Sequence, residues 1–230
     1  MKKKSLLTMV ASLALVGAMG IGATLAYFVD QTDTLTNIFT IAQEGISLKL
    51  FEHEVITGDG ATGYDVDMDE KVYAEEGAGN NYTNLIPGQI VTKDPTVEVG
   101  AGSVKCAIYV SVENGNRELL NEYDYIAEGW EYIDSNGDID FYEYVGDNTD
   151  GSYEVIDATS GTVEKVVFDK VQVATLDGNG QDVNEDTVLP QIIIKAAAVQ
   201  VEDASVEGGL REAADVEMDG LELLGYESAR

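Results

Sequence analysis

Short stretches in which apolar and polar residues alternate recur along most of this chain, and turns rich in glycine and aspartate separate them. Alternation with a period of two residues, together with many valines, isoleucines and tyrosines, is typical of half-buried β-strands. The pattern predicts eight strands, at Phe39–Phe51, Ile90–Val99, Val104–Val112, Trp130–Ile133, Ile139–Val145, Tyr153–Ile156, Thr162–Val173 and Val188–Val201. We therefore expect an all-β chain that folds as a β-sandwich.

Two segments depart from this alternation and space their apolar residues as helices do. They are Arg117–Glu128 and Leu210–Leu224, so we expect one or two short helices beside the strands. Asn136–Gly137 lies between two strand-forming stretches, Glu131–Ile133 and Ile139–Phe141, and glycine readily adopts the positive φ of a tight hairpin turn. We therefore predict a β-hairpin at this point.

The first residues of the chain have the pattern of a secretory signal peptide with a signal helix. Lys2–Lys4 form a positive start, and an apolar core follows at Leu6–Val16. Thr24 and Ala26 are small residues at the −3 and −1 positions of a cleavage site, so residues 1–26 would be removed and the mature chain would start at Tyr27. The alternative is an uncleaved signal segment that anchors the protein in the membrane.

The charge and the chemical inventory of the chain exclude several function classes. A net charge of −30 excludes nucleic acid as a partner by repulsion. The single cysteine, Cys106, cannot form an internal disulfide, and the single histidine, His53, excludes a His-Glu-x-x-His zinc site. The chain has neither a P-loop nor a glycine-rich dinucleotide fingerprint. We therefore predict no catalytic residue, no metal site and no cofactor, and we expect that the protein is not an enzyme.

The segment 58–81 is rich in glycine and acidic residues, which predicts a long, mobile surface loop. It places carboxylates at positions 1, 3, 5 and 12 of a calcium-loop template: Asp65, Asp67, Asp69 and Glu76. Glu70, however, occupies the position at which the sharp turn of such a loop requires glycine. A solvated acidic loop that binds calcium weakly at best is the interpretation that these residues favour.

Several short motifs distributed over the chain carry a resemblance to a known family. They are Leu13–Ala18, Gly22–Asp30, Asn37–Ile41, Asn84–Gly88 followed by Lys93–Pro95, Ala107–Val112 and Ala196–Gln200. With these motifs the chain resembles the TasA/camelysin (CalY) family, which comprises secreted proteins of Gram-positive bacteria that a SipW-type signal peptidase processes. The resemblance spans nearly the whole mature chain, and its signal and junction motif is the most specific part.

The resemblance implies a jelly-roll sandwich that polymerises into extracellular fibres of the biofilm matrix. The partners would be other copies of this chain, accessory matrix proteins and, during export, the signal peptidase, with membrane contact only through an uncleaved signal segment. The protein would be secreted, in the extracellular matrix or at the cell surface. A camelysin-like metallopeptidase is an alternative that the supply of one histidine and one cysteine disfavours, and a monomeric acidic adhesin is another.

The mature N-terminal segment, residues 27–37, has the properties that a donated strand requires, and residues 38–230 would form the sandwich. The segment is short, contains few charges and is rich in threonine, so it can pair with an exposed sheet edge of a neighbouring subunit. We predict the following donor-strand residues: Tyr27, Phe28, Val29, Asp30 and Leu35. Since donor and acceptor surfaces differ, such a contact is head-to-tail and builds a filament. The alternative is an ordinary flexible terminus.

Overall fold

The computed structural model describes residues 29–32, 45–56, 65–73, 80, 82, 85–148, 152–183, 187, 189–203 and 209–226. The strands in these ranges are β1 (Val29–Thr32), β2 (Leu48–Ile56), β3 (Asp65–Tyr73), β4 (Ile90–Thr92), β5 (Thr96–Val99), β6 (Cys106–Asn114), β7 (Leu120–Asn121), β8 (Trp130–Asn136), β9 (Ile139–Tyr144), β10 (Val163–Val166), β11 (Lys170–Val173), β12 (Ile192–Gln200), β13 (Glu202–Asp203) and β14 (Gly209–Leu210). One α-helix, α1, is described at Ala213–Leu223.

The first large sheet has the strand order β1-β12-β6-β9-β8, and its neighbouring strands are antiparallel. Its central strands β6 and β12 each contain an uninterrupted apolar run, Cys106–Val110 and Ala196–Val199, because both of their faces are covered there. In β6, Cys106 and Ile108 belong to the core between the sheets, whereas Ala107 and Tyr109 belong to a second core on the opposite face. Strands buried on both faces require such continuous apolar runs, rather than strict alternation.

The second layer is a bent ladder with two parts, β10-β5-β2-β3 and β4-β11-β7. The two parts are continuous along the chain, since β4 leads into β5 and β10 leads into β11. At the bend, the Val167 N–H donates to the Pro95 carbonyl at 2.8 Å, and the Lys93 N–H donates to the Asp169 carbonyl at 3.3 Å. Pro95 has no N–H to donate, which interrupts the regular ladder at this position.

The two layers enclose one core, so the predicted all-β sandwich is confirmed. Leu50 and Val97 of the second layer pack with Ile108, Val110 and Ala196 of the first sheet. The chain crosses from one layer to the other between β5 and β6, between β9 and β10 and between β11 and β12. These repeated crossings give the sandwich its jelly-roll-like topology.

Helix α1 covers the outer face of the first sheet, within the segment Leu210–Leu224 that the sequence predicts as helical. Its buried residues Val216 and Leu221 pack with Tyr109 and Val199 in a separate apolar cluster. Gly220 lies directly against Tyr109, because a Cβ at this glycine would be 2.3 Å from Tyr109 Cδ2. The absence of a side chain at Gly220 therefore sets how closely the helix approaches the sheet.

The other local predictions have mixed outcomes. The hairpin at Asn136–Gly137 is confirmed, since β8 pairs with β9 across this turn and Gly137 has a φ of +66°. The helix predicted over Arg117–Glu128 is wrong: this segment contains turns, β7 and a 3-10 turn at Tyr123–Tyr125. Leu119 and Leu120 are buried in the sandwich core at this point, so packing, rather than helical spacing, explains their position.

The predicted acidic loop 58–81 is wrong over Asp65–Tyr73, which forms β3 on the edge of the second layer. The register of β3 against β2 shifts between Asp67 and Lys71, which lie opposite the adjacent residues Glu54 and His53. A strand forms here because Val66, Val72 and Tyr73 can pair with β2. Tyr73 contacts Phe51 at a ring-centroid distance of 5.6 Å, a contact that the acidic composition of the segment does not indicate.

Candidate functional site

The candidate site is the edge of the first sheet at which β1 pairs with β12. Val29 lies opposite Val199, and Thr32 lies opposite Ala196. Of the predicted donor-strand residues, Val29 and Asp30 therefore belong to β1, within the same chain as β12. Tyr27, Phe28 and Leu35 lie outside the described residues, as do the signal helix and the predicted cleavage site between Ala26 and Tyr27.

The part of β12 that faces β1 consists of small, fully buried residues. Ala196 and Ala198 belong to the core between the sheets, whereas Ala197 and Val199 belong to the core under α1. Alanine is depleted in strands, so propensity alone does not explain its use in three consecutive positions. The alanines fit here because β12 is packed on both faces, between the second layer and the helix.

β12 offers a longer edge than β1 covers. On one side it pairs with β6 from Ile192 to Gln200, whereas on the other side it pairs with β1 only from Ala196 to Val199. No strand among the described residues pairs with Ile192–Lys195 on the β1 side. Backbone N–H and C=O groups at such an edge can bind an additional strand.

A cleft of about 550 Å³ opens beside this uncovered length of β12, and we call it the β12 cleft. Its described lining residues are Asn80, Tyr82, Leu85, Val91, Lys93, Leu120, Val171, Leu189, Pro190, Gln191, Ile192 and Ile193. The lining comes from the segments around β4, β7 and β11 of the second layer and from the start of β12, so the cleft lies between the layers at that end of β12. Most of the lining is apolar and continues the sandwich core outward, through Val91, Leu120 and Val171.

The polar residues at the rim of the β12 cleft are bound to one another and to β2. The Asn80 amide donates to the His53 carbonyl at 2.7 Å and to Glu52 Oε2 at 3.1 Å, and its oxygen accepts from the Val55 N–H at 3.0 Å. Lys93 forms an ion pair with Glu52. These contacts hold the wall of the cleft at the end of β2, so the polar rim is fixed by the protein itself.

His53, the single histidine, contacts the Asp94 carboxylate through both its ring and its backbone N–H. Its ring Nδ1 lies 2.6 Å from Asp94 Oδ2, and its backbone N–H donates to Asp94 Oδ1 at 3.1 Å. The His53 ring also meets Phe51 edge to face, at a centroid distance of 5.4 Å. In this arrangement His53 joins β2 to the bend at Lys93–Pro95.

The other residues considered for chemistry are separated from one another. Cys106 is buried in β6, where desolvation raises the pKa of its thiol to about 12, so the thiol stays protonated near neutral pH. Asp65, Asp67 and Asp69 lie along β3, and Glu76 lies outside the described residues. In the ranges that the structure describes, no group of three or more His, Cys, Asp or Glu residues could hold a metal ion.

The structure brings together two sets of buried charges that sequence reasoning missed. Arg117 Nη2 lies 2.7 Å from Asp140 Oδ2, and its Nε lies 3.7 Å from Glu122 Oε1. Under α1, the Tyr109 hydroxyl donates to Glu143 Oε1 at 2.6 Å. Burial raises the pKa of Glu122 and that of Glu143. Among 43 acidic residues, nothing in the sequence distinguishes the buried ones.

Comparisons with protein-family models, with curated proteins and with solved structures find no match for this chain. Within the described residues, no helix is long and apolar enough to cross a membrane. The features at this edge of the first sheet are the β1–β12 pair and the cleft at the start of β12.

Proposed function

We propose that this chain is a secreted structural protein that polymerises into extracellular matrix fibres by head-to-tail β-strand donation. In the fibre, β1 of one subunit pairs with β12 of the next subunit, instead of with β12 of its own chain. The observation that carries the proposal is the position of β1 at the edge of the sheet, where β12 is its one strand partner among the described residues. A strand held by one partner can be exchanged between identical chains with the same contacts.

The remainder of the sandwich is expected to stay folded when β1 leaves its own chain. β12 pairs with β6 along its whole length, and its residues belong to the apolar cores on both of its faces. Loss of β1 exposes the backbone N–H and C=O groups of β12 that pair with it. An identical strand from a neighbouring subunit satisfies these groups again, and repetition of this step extends the polymer.

The direction of β1 also supports exchange. The start of β2 and the end of β12 lie at the same end of the sandwich. Ser47, just before β2, accepts from the Gly100 N–H at 2.7 Å and donates its own N–H to Ser103 Oγ at 3.0 Å. Ser103 leads into β6, whose first residue, Cys106, lies opposite Gln200 at the end of β12. β1 starts at this end and runs away from it. A connection of the length of residues 33–44 spans about 40 Å when extended, so in donation it can lead β1 to another subunit.

The signal pattern supports the place of assembly. Cleavage after Ala26 would free Tyr27 as the start of the donor segment, so polymerisation would begin only outside the cell. The proposed partners are other copies of the chain, accessory matrix proteins and, during export, the signal peptidase. In the described part of the chain, no observation specifically supports a metallopeptidase or a monomeric adhesin.

A pair of cysteines distinguishes donation from pairing within one chain. Gln31 and Ala197 lie opposite each other in the β1–β12 pair, so we expect Gln31→Cys with Ala197→Cys to form a disulfide. In filaments of the secreted protein, donation gives a covalent ladder on non-reducing gels. Pairing within each chain gives only monomers and would contradict the proposal. Each single-cysteine variant is a control, and the native Cys106 is fully buried.

A further inference from the structure

A lysine, a glutamate and an asparagine meet beside β2, where one carboxylate contacts both an amine and a carboxamide. Lys93 Nζ forms an ion pair with Glu52 Oε1, and the Asn80 amide nitrogen donates to Glu52 Oε2 at 3.1 Å. The two oxygens of a carboxylate share one carbon atom, so the Lys93 amine and the Asn80 carboxamide are neighbours. An amine and a carboxamide that a protein holds side by side can condense to form a new amide.

The amine and the carboxylate are largely removed from water. The Glu52 side chain is 8% exposed and the Lys93 side chain is 14% exposed. Lys93 Nζ also lies 5.5 Å from the centroid of the Tyr82 ring. Asp94, the carboxylate next to Lys93 in the chain, is bound by His53, so Glu52 is the ion-pair partner of this lysine. Within the pair, a proton that passes from the ammonium to Glu52 leaves a nucleophilic amine.

The Asn80 carboxamide is held at both of its polar atoms. Its nitrogen donates to two acceptors, the His53 carbonyl at 2.7 Å and Glu52, and its oxygen accepts from the Val55 N–H at 3.0 Å. The Val55 N–H can therefore stabilise the negative charge that develops on Oδ1 when Cγ is attacked. Glu52 contacts the nitrogen that must leave, so the same carboxyl group can deliver a proton to it.

We propose that Lys93 and Asn80 form an intramolecular isopeptide bond, with Glu52 as the proton shuttle. Glu52 first accepts a proton from the Lys93 ammonium, and the neutral Nζ attacks Asn80 Cγ to form a C–N bond. Glu52 then transfers its proton to Nδ2 and accepts a second proton from Nζ, while the Cγ–Nδ2 bond breaks. Ammonia takes up this last proton and leaves as ammonium. The step is neither an oxidation nor a reduction and consumes no co-reactant.

The new bond closes a covalent ring from Asn80 to Lys93. The ring contains β4 and ends at the bend of the second layer, so it ties the segment that follows β3 to this bend. The inference goes beyond the proposed function, because it concerns residues of one sandwich and holds whether or not the chains polymerise.

Mass spectrometry of the purified, folded chain tests the proposal. Trypsin cuts after a lysine whose amine is free, so it should cut after Lys71 and Lys105 but leave residues 72–105 uncut at Lys93. This fragment should be lighter than its sequence by one ammonia molecule, and its fragment ions should show residues 80 and 93 joined. A wild-type fragment of full mass that is cut after Lys93 would overturn the proposal.

Two variants separate the isopeptide bond from other losses of ammonia. An asparagine can also lose ammonia by cyclising onto its own backbone, which requires no lysine. Lys93→Arg keeps the positive charge beside Glu52 but removes the nucleophilic amine, so the ammonia loss should disappear. Glu52→Gln removes the group that accepts and returns the proton, and it should lower the yield of the bond at least tenfold. Ammonia loss that persists in Lys93→Arg, or a full yield in Glu52→Gln, would each contradict the mechanism.

The matched control is Lys71→Arg on the neighbouring strand β3. Lys71 is paired with two carboxylates, Glu98 and Glu164, so its replacement should leave the ammonia loss and the bond at Lys93 unchanged. Circular dichroism establishes that each variant is folded. If Glu52→Gln unfolds, Lys93→Arg decides alone, because it retains the charge of the ion pair.

Discussion

The two edges of the first sheet differ in how firmly each edge strand is held. At one edge, β8 is joined to β9 by a tight turn and is anchored by Trp130, whose Nε1–H donates to the Val166 carbonyl at 2.7 Å. At the other edge, β1 is connected to β2 through residues 33–47 and, in the described part of the chain, pairs with β12 alone. Exchange of β8 would break the Trp130 anchor and the tight turn to β9, whereas exchange of β1 requires only that its pairing with β12 be remade by another copy.

The two edges also differ in their protection against further pairing. β8 carries the exposed residues Glu131 and Asp134, and its register shifts near Tyr132 and Asp134. Charges and irregular pairing are the usual devices that prevent edge strands from associating. On the other side of the sheet, β12 presents uncharged residues to β1, from Ala196 to Val199. The comparison indicates that this fold blocks association at one edge and retains a pairing surface at the other.

The largest expected effect comes from charging the exchangeable edge. The Phe28→Asp, Val29→Asp double variant places two carboxylates in the strand that we propose is donated, one of them at the position that pairs with Val199. Loss of one buried phenylalanine-sized side chain alone costs about 1.5–3 kcal/mol, or roughly one to two orders of magnitude in Kd. We expect no filaments by negative-stain microscopy and an unchanged circular dichroism spectrum.

The matched control for this variant is Tyr132→Asp on β8. Tyr132 is an exposed aromatic residue on the protected edge, so charging it should leave filaments intact. Loss of filaments in Tyr132→Asp, or normal filaments in the double variant, would reverse the roles assigned to the two edges.

The anchor of β8 predicts the next largest effect, this time on stability. Trp130 is buried, its indole donates to Val166, and its ring meets Tyr144 at a centroid distance of 5.2 Å. Trp130→Ala removes all of these contacts and should lower the free energy of unfolding by about 3–5 kcal/mol. Urea unfolding followed by circular dichroism measures this change. A loss below about 1 kcal/mol would mean that β8 is held by other contacts.

These edges illustrate what the sequence can and cannot predict. A continuous apolar run predicts β12, and turn chemistry predicts the β8–β9 hairpin, because both signals are local and strong. β3 was missed since it contains as many carboxylates as apolar residues, and its stability comes from pairing with β2. The β12 cleft could not be predicted, because Leu120, Val171 and Ile192 meet only after the layers have packed.

A smaller effect is expected where α1 covers the sheet between its two edges. In Gly220→Ala the new Cβ would lie 2.3 Å from Tyr109 Cδ2, so the helix or the ring must move. Overpacking of this kind costs about 1–3 kcal/mol, and the better helix propensity of alanine offsets up to about 1 kcal/mol. We expect a net loss of stability in urea unfolding. Met218→Ala, at an exposed position of the same helix, should change stability little, and equal effects at the two positions would contradict the close contact.

The smallest predicted effect is on the pH dependence of stability. A buried acid and an exposed acid of the same sheet should change the free energy of unfolding in opposite directions as the pH falls. Burial raises the pKa of Glu143 above its usual 4.5. The Tyr109 hydrogen bond lowers this pKa, whereas the charges of Glu217 and Glu131 raise it further. The folded state therefore binds this proton more tightly than the unfolded state. As the pH falls from neutral toward 4.5, the contribution of Glu143 to stability should increase.

Asp134 at the β8 edge should act in the opposite direction and at lower pH. The Tyr226 hydroxyl and the Ser135 N–H lower its pKa below the usual 3.8, so its contribution is present above that pH and is lost as the pH falls further. The measured quantity is the free energy of urea unfolding. Glu143→Gln should therefore remove part of its increase as the pH falls from neutral toward 4.5, whereas Asp134→Asn should leave the unfolding free energy in that pH range unchanged. If Glu143→Gln leaves the pH profile unaltered, the buried carboxylate under α1 is not the group that titrates, and other acids of this strongly negative chain must carry the dependence.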